Sequence, residues 1–141
     1  MAVKKIRSEG PSSSEPALIL LVDDYQDGRE MYADALTFSG FRALEASSGL
    51  EALQLAIDRL PDLILMDLSL PGMDGWEVTS RLKKDARTKH IPIIALTAHA
   101  LTEERERAEQ AGCDGFLAKP CLPDELLAEV KRVLSTFNTA S

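Results

Sequence analysis

Leu63-Ile64-Leu65-Met66-Asp67-Leu68-Ser69-Leu70-Pro71-Gly72-Met73-Asp74-Gly75 decides how this chain is read. An apolar run of strand length ends on a carboxylate, and a turn-rich stretch then opens an amphipathic segment. Asp67 therefore belongs at the carboxyl end of a buried strand. Upstream, Ile19-Leu20-Leu21-Val22 runs in the same way into Asp23 and Asp24. With both strands in one parallel sheet, three carboxylates share the crevice at its carboxyl edge.

Such crowding needs compensation, because two unit charges about 4 Å apart repel by roughly 4 kcal/mol at an effective dielectric near 20. A divalent cation held by oxygen ligands and a neighbouring ammonium are the least costly compensators. Lys119, which ends the apolar run Phe116-Leu117-Ala118, is the candidate ammonium. Thr97 ends another run, Ile93-Ile94-Ala95-Leu96, and its hydroxyl is expected to face the same crevice. Each residue also has an ordinary reading: Asp23 and Asp24 as a helix N-cap and its neighbour, Asp67 as a strand-end acid opening a turn, Lys119 as a solvated loop lysine, Thr97 as a β-branched strand residue. Only a parallel sheet gathers all of them at one edge.

Short apolar runs alternate with longer segments of helical period, the pattern of a parallel sheet covered by helices on both faces. The spacing predicts strands at 17–23, 41–46, 62–67, 92–97 and 115–118. A first helix is predicted from Gln26 to Ser39, stopped by Gly40 as a left-handed cap. The second opens at Ser48 with Glu51 three residues on, and the third at Asp74 with Glu77, both capping-box patterns. The fourth covers 101–111, before Gly112. The fifth opens at Pro123 and carries Leu126, Leu127, Val130, Val133, Leu134 and Phe137 on one stripe. Right-handed crossovers make this an α/β, doubly wound, flavodoxin-like sheet of order 2-1-3-4-5, with its switch point between the first and third strands.

The chain has 141 residues, enough for one domain with one proper core, and 45% of them are hydrophobic. Residues 1–15, with Gly10-Pro11-Ser12-Ser13-Ser14, have no hydrophobic period and read as a flexible tail; 16–138 form the domain, and 139–141 a short C-terminal tail. A formal charge of -7 argues against nucleic acid and anionic lipid as partners. No apolar stretch reaches the roughly 18 residues of a membrane span and no secretory signal opens the chain, so a cytoplasmic protein is expected. Cys113 and Cys121 lack metal-ligand spacing and are expected as reduced thiols.

Asp23, Asp24, Asp67, Thr97 and Lys119, together with Asp67-Leu68-Ser69-Leu70-Pro71-Gly72-Met73-Asp74-Gly75 and Lys119-Pro120, resemble the receiver domain of two-component response regulators, including its stand-alone chemotaxis-type members. The resemblance spans residues 17–137. It implies that Asp67 accepts a phosphoryl group from a phosphohistidine, and that Asp24, Asp67 and the Ser69 main-chain carbonyl ligate Mg²⁺ with help from Asp23 through bound water. Mg²⁺ prefers octahedral oxygen coordination and retains waters, which suits this set. Lys119 and the Thr97 hydroxyl are implied to neutralise charge on the transferred group. Ser69 and His99 occupy the positions that tune hydrolysis of the aspartyl phosphate. Thr97 and Phe116 match the family's switch pair, which alters the face made by the fourth helix, fifth strand and fifth helix. A cis Lys119-Pro120 bond is likewise implied.

The function so implied is that of a signalling module in a histidine-to-aspartate phosphorelay rather than an enzyme, with at most self-phosphorylation from small donors and self-dephosphorylation. The partners so implied are a histidine kinase or histidine phosphotransfer protein, docking on the first helix from Tyr25, Gln26 and Arg29 to Met31, with a downstream protein target as a further candidate. No output domain follows the fifth helix, which fits a stand-alone receiver or one cut from a longer regulator. Two other classes stay open. One is a receiver-like interaction domain that works without phosphorylation. The other is an Asp-nucleophile phosphatase, which needs a second Asp two residues after the nucleophile, where this chain has Ser69.

Overall fold

A computed structural model describes residues 15–98 and 102–139 of the chain. The two predicted tails, apart from Glu15 and Thr139, and the tuning position His99 lie outside the described residues. Five strands alternate with five helices: β1 (Leu18–Val22), α1 (Gln26–Phe38), β2 (Arg42–Ala46), α2 (Gly49–Arg59), β3 (Leu63–Asp67), α3 (Gly75–Lys84), β4 (Ile93–Thr97), α4 (Thr102–Gln110), β5 (Gly115–Ala118) and α5 (Pro123–Thr139).

All neighbouring strands pair in parallel, in the order β2-β1-β3-β4-β5. β1, β3 and β4 are buried along their whole length, which is why they read as unbroken apolar runs. β2 and β5 form the edges and mix exposed with half-buried positions. The pleat sends alternate side chains to opposite layers. Leu20 and Val22 of β1 join Ala52 and Ala56 of α2, Val78 and Leu82 of α3, and Ala108 of α4. Ile19 and Leu21 join Tyr32 and Leu36 of α1 and Leu126, Val130 and Val133 of α5. Three helices thus cover one face and two the other. Cys113 packs against the first layer and Cys121 lies in the second, and both are free thiols.

The helix ends follow local chemistry, with differences from expectation. Gly40 adopts φ +98°, as the predicted left-handed stop requires, just beyond the α1 C-cap Ser39. Ser48 Oγ accepts the Glu51 amide (3.2 Å), but Glu51 Oε1 reaches one residue further back, to the Ser47 amide (2.8 Å). The box is therefore wider than the usual reciprocal pair. Asp74 caps α3 by accepting the Glu77 amide (3.0 Å). Neither Asp23 nor Asp24 caps α1, whose N-cap is Tyr25 without a side-chain bond. On α5 the buried stripe is Leu126, Val130 and Val133, while Phe137 is exposed, being near the end of a helix that outruns the sheet.

Gly75 fixes how α3 meets β3. A Cβ there would collide with the Asp67 carbonyl oxygen and lie 2.7 Å from Leu68 Cα, so only glycine lets the helix start this close to the strand end. α4 is held least: Ala108 is the one buried residue of this polar helix.

Candidate functional site

The order of the sheet carries the ends of β1 and β3 side by side, with β4 and β5 next in line. Asp23 follows β1 and is fully buried, Asp24 is exposed, and Asp67 closes β3 at 3% exposure. One carboxylate oxygen from each of Asp23, Asp24 and Asp67 lies within 4.8 Å of the others. Thr97 closes β4 and is buried. Its carbonyl accepts the Lys119 amide at 2.7 Å, so the backbone of β4 fixes where the chain leaves β5. The Lys119 ammonium then reaches inward, 2.9 Å from Asp23 Oδ2 and 3.5 Å from Asp67 Oδ2. The Lys119-Pro120 bond is cis, as the resemblance implied.

Burial dominates the electrostatics of Asp67 and pushes its pKa up; the Ser69 amide (2.9 Å) and the Lys119 charge pull the other way. Burial acts against the charge of Lys119, but the hydrogen bond to Asp23 and the field of both carboxylates win, and its pKa is raised. Three carboxylates face one ammonium, which leaves two negative charges among these four groups. The donors are all hard oxygens, one acid is open to solvent, and the residual charge equals that of a divalent cation. The residues present thus fit Mg²⁺ on charge and on ligand chemistry.

The remaining sequence candidates separate. Ser69 donates its amide to Asp67 Oδ1, while the residue is otherwise exposed beside the site. Phe116 is half-buried on β5, opposite Ala95, with the Arg105 guanidinium 4.6 Å from its ring centroid. Trp76 likewise lies under Arg107, at 4.3 Å. The charged run of α4 thus lays two arginines on aromatic rings. Arg29, expected on a docking face, is engaged with its own fold: it donates to Glu45 Oε1 and to the Asp23 carbonyl, both at 2.9 Å. Tyr25 adds its amide to Asp23 Oδ1 (2.9 Å). Sequence reasoning missed that α1 clamps Asp23; the only signal was the four-residue spacing of Tyr25 and Arg29 just after the acid.

A model of the response regulator receiver domain matches residues 19–131. The chain belongs to that family. Among relatives, the polar-differentiation response regulator DivK of Brucella anthropi is 39% identical over 119 residues, covering 84% of this chain and 97% of DivK. A putative response regulator from Chloroflexus aurantiacus has a similar structure, with a TM-score of 0.82 and 37% identity over 86% of this chain and 99% of its own. The receiver domain of the sensor histidine kinase PA1611 from Pseudomonas aeruginosa superposes with a TM-score of 0.78 and 35% identity, covering 85% of this chain and 98% of that one. That domain was solved with a magnesium ion coordinated in its active site cleft. The present chain is thus a phosphoacceptor receiver domain of two-component signalling, a signalling module. Among the described residues no helix is long and apolar enough to cross a membrane.

Proposed function

We propose that Asp67 is the phosphoacceptor of this receiver, with Asp23, Asp24, Asp67 and the Ser69 carbonyl holding Mg²⁺. The observation that carries this reading is the convergence of three carboxylates within 4.8 Å on an ammonium 2.9 Å from Asp23 and 3.5 Å from Asp67. An Asp67 oxygen forms the new O–P bond as the P–N bond to a donor imidazole breaks. Lys119 offsets charge on the phosphoryl oxygens, and the Thr97 hydroxyl follows the transferred group. When bound, Mg²⁺ supplies further charge neutralisation on those oxygens.

The donor is a histidine kinase or a histidine phosphotransfer protein. An apolar groove of about 330 Å³ runs beside the site, lined by Tyr25, Gly28, Met31, Tyr32, Ala98, Lys119 and Pro120. Tyr25 and Met31 are well exposed, which suits them to receive a helix face that carries the phosphohistidine. On the far side, the Thr97 and Phe116 pair alters the α4-β5-α5 face for a downstream protein, and Arg105 is the group on that face that sits on the switch ring.

Incubation of the purified chain with Mg²⁺ and acetyl phosphate, read by intact mass, tests the acceptor. One phosphoryl adduct on the wild type and none on Asp67→Asn is the expected result. An unchanged adduct on Asp67→Asn, or no adduct on the wild type, overturns the reading.

A further inference from the structure

Lys119 is aimed by the backbone that follows it, and that backbone is held at two points. The first is the Lys119 amide on the Thr97 carbonyl (2.7 Å). The second lies two residues on, where the Tyr32 hydroxyl of α1 donates to the Cys121 carbonyl at 2.8 Å. Both Tyr32 and Cys121 are buried, so this bond is made away from water. Burial, more than any neighbour, pushes the Tyr32 phenol up to about 12, which keeps it a proton donor throughout the neutral range.

The same helix grips the other end of the ion pair. Tyr25 and Arg29 bond Asp23 through its carboxylate and its carbonyl, both at 2.9 Å. Arg29 and Tyr32, at i and i+3, share one face of α1, and Tyr25 is its N-cap. Asp23 and Lys119, 2.9 Å apart, are therefore each fastened to one stripe of one helix. A phenylalanine at position 32 would fill the same apolar space. The hydroxyl adds only the bond to Cys121, and that bond acts on the lysine loop.

We propose that Tyr32 is a positioning residue for phosphotransfer, its hydroxyl holding the Lys119-Pro120-Cys121 backbone so that the ammonium faces Asp67. The proposal rests on Asp67 as acceptor. Tyr32 also lines the apolar groove beside Lys119 and Pro120.

The test is a double-mutant cycle in initial phosphorylation rate, with acetyl phosphate and Mg²⁺ at fixed concentration and intact mass as readout. Tyr32→Phe is expected to slow the wild type by about five-fold, the net worth of one neutral hydrogen bond. In a Lys119→Gln background, timed over longer incubation, the same change is expected to be silent. A purely structural tyrosine would give an equal loss in both backgrounds, and that result overturns the proposal. So does a Tyr32→Phe rate equal to wild type, which leaves the acceptor assignment standing because the wild type is still phosphorylated. If Tyr32→Phe is not folded by far-UV circular dichroism, Tyr32→Met, which keeps the apolar bulk, takes its place in the cycle.

Discussion

Asp67 is held where a carboxylate is uncomfortable. Its folded-state pKa is raised, chiefly by burial, so the native chain binds its proton more tightly than the unfolded chain does. The sign follows directly. Asp67 does not weaken the cation-free fold at pH below the ordinary carboxylate range, and stability is lost as pH rises from there through the raised value. Asp67→Asn removes that loss. In EDTA at neutral pH it is expected to melt a few degrees above wild type by calorimetry, with the gap closing as pH falls toward 4. A variant that melts lower at neutral pH would show that the Lys119 and Ser69 contacts outweigh the burial. Gly75 acts from the other side of the same strand end. Gly75→Ala pushes a methyl into the Asp67 and Leu68 backbone, which must shift with the acceptor it carries. A loss of about 1–3 kcal/mol in urea unfolding is expected, with slower phosphorylation alongside.

At the scale of elements, the strands buried on both faces were legible because nothing polar interrupts them. β1, β3 and β4 read as apolar runs, and Asp23, just after β1, with Asp67 and Thr97, the last residues of β3 and β4, marked the carboxyl edge. Gly40, Ser48 and Asp74 announced helix ends through backbone and capping chemistry that acts over three or four residues. What was not legible depends on contacts far apart in sequence. The Tyr32 hydroxyl meets a carbonyl 89 residues away, and Arg105 and Arg107 find their aromatic rings only once α4 is docked. A polar run gives no sign of which of its charges will be occupied. α4 also stands apart energetically, since it buries Ala108 alone. Its amides are expected to exchange with deuterium faster than those of α1 or α5, and phosphorylation is expected to change exchange there more than in β1 or β3. Uniform protection across all five helices would remove α4 as the adaptable element.

For the whole molecule, the sheet is also a partition. Cys113 and Cys121 are separated by eight positions in sequence but belong to opposite layers, one against the α2-α3-α4 side and one on the α1-α5 side. Burial, aided by Asp114, pushes the Cys113 thiol up to about 11. Between the ordinary thiol value and that figure the native chain stays protonated while the unfolded chain ionises, so stability falls as pH rises through that window. Treatment of the native protein with oxidised glutathione near pH 8 is expected to form no intramolecular disulfide, and alkylation of Cys113 to be slow until the protein is unfolded. A rapid mass loss of two hydrogens would contradict the partition.

The chemistry hangs from the two strands at the middle of the sheet, each flanked on both sides by another. Interior strands are the last to come apart when a protein breathes, so the carboxylates at the ends of β1 and β3 sit on the most protected part of the sheet. A ligand that grips this cluster stabilises the part of the molecule whose loss is global unfolding. Its binding free energy therefore appears in full as resistance to denaturation, and a melting curve taken against cation concentration doubles as a titration of the site.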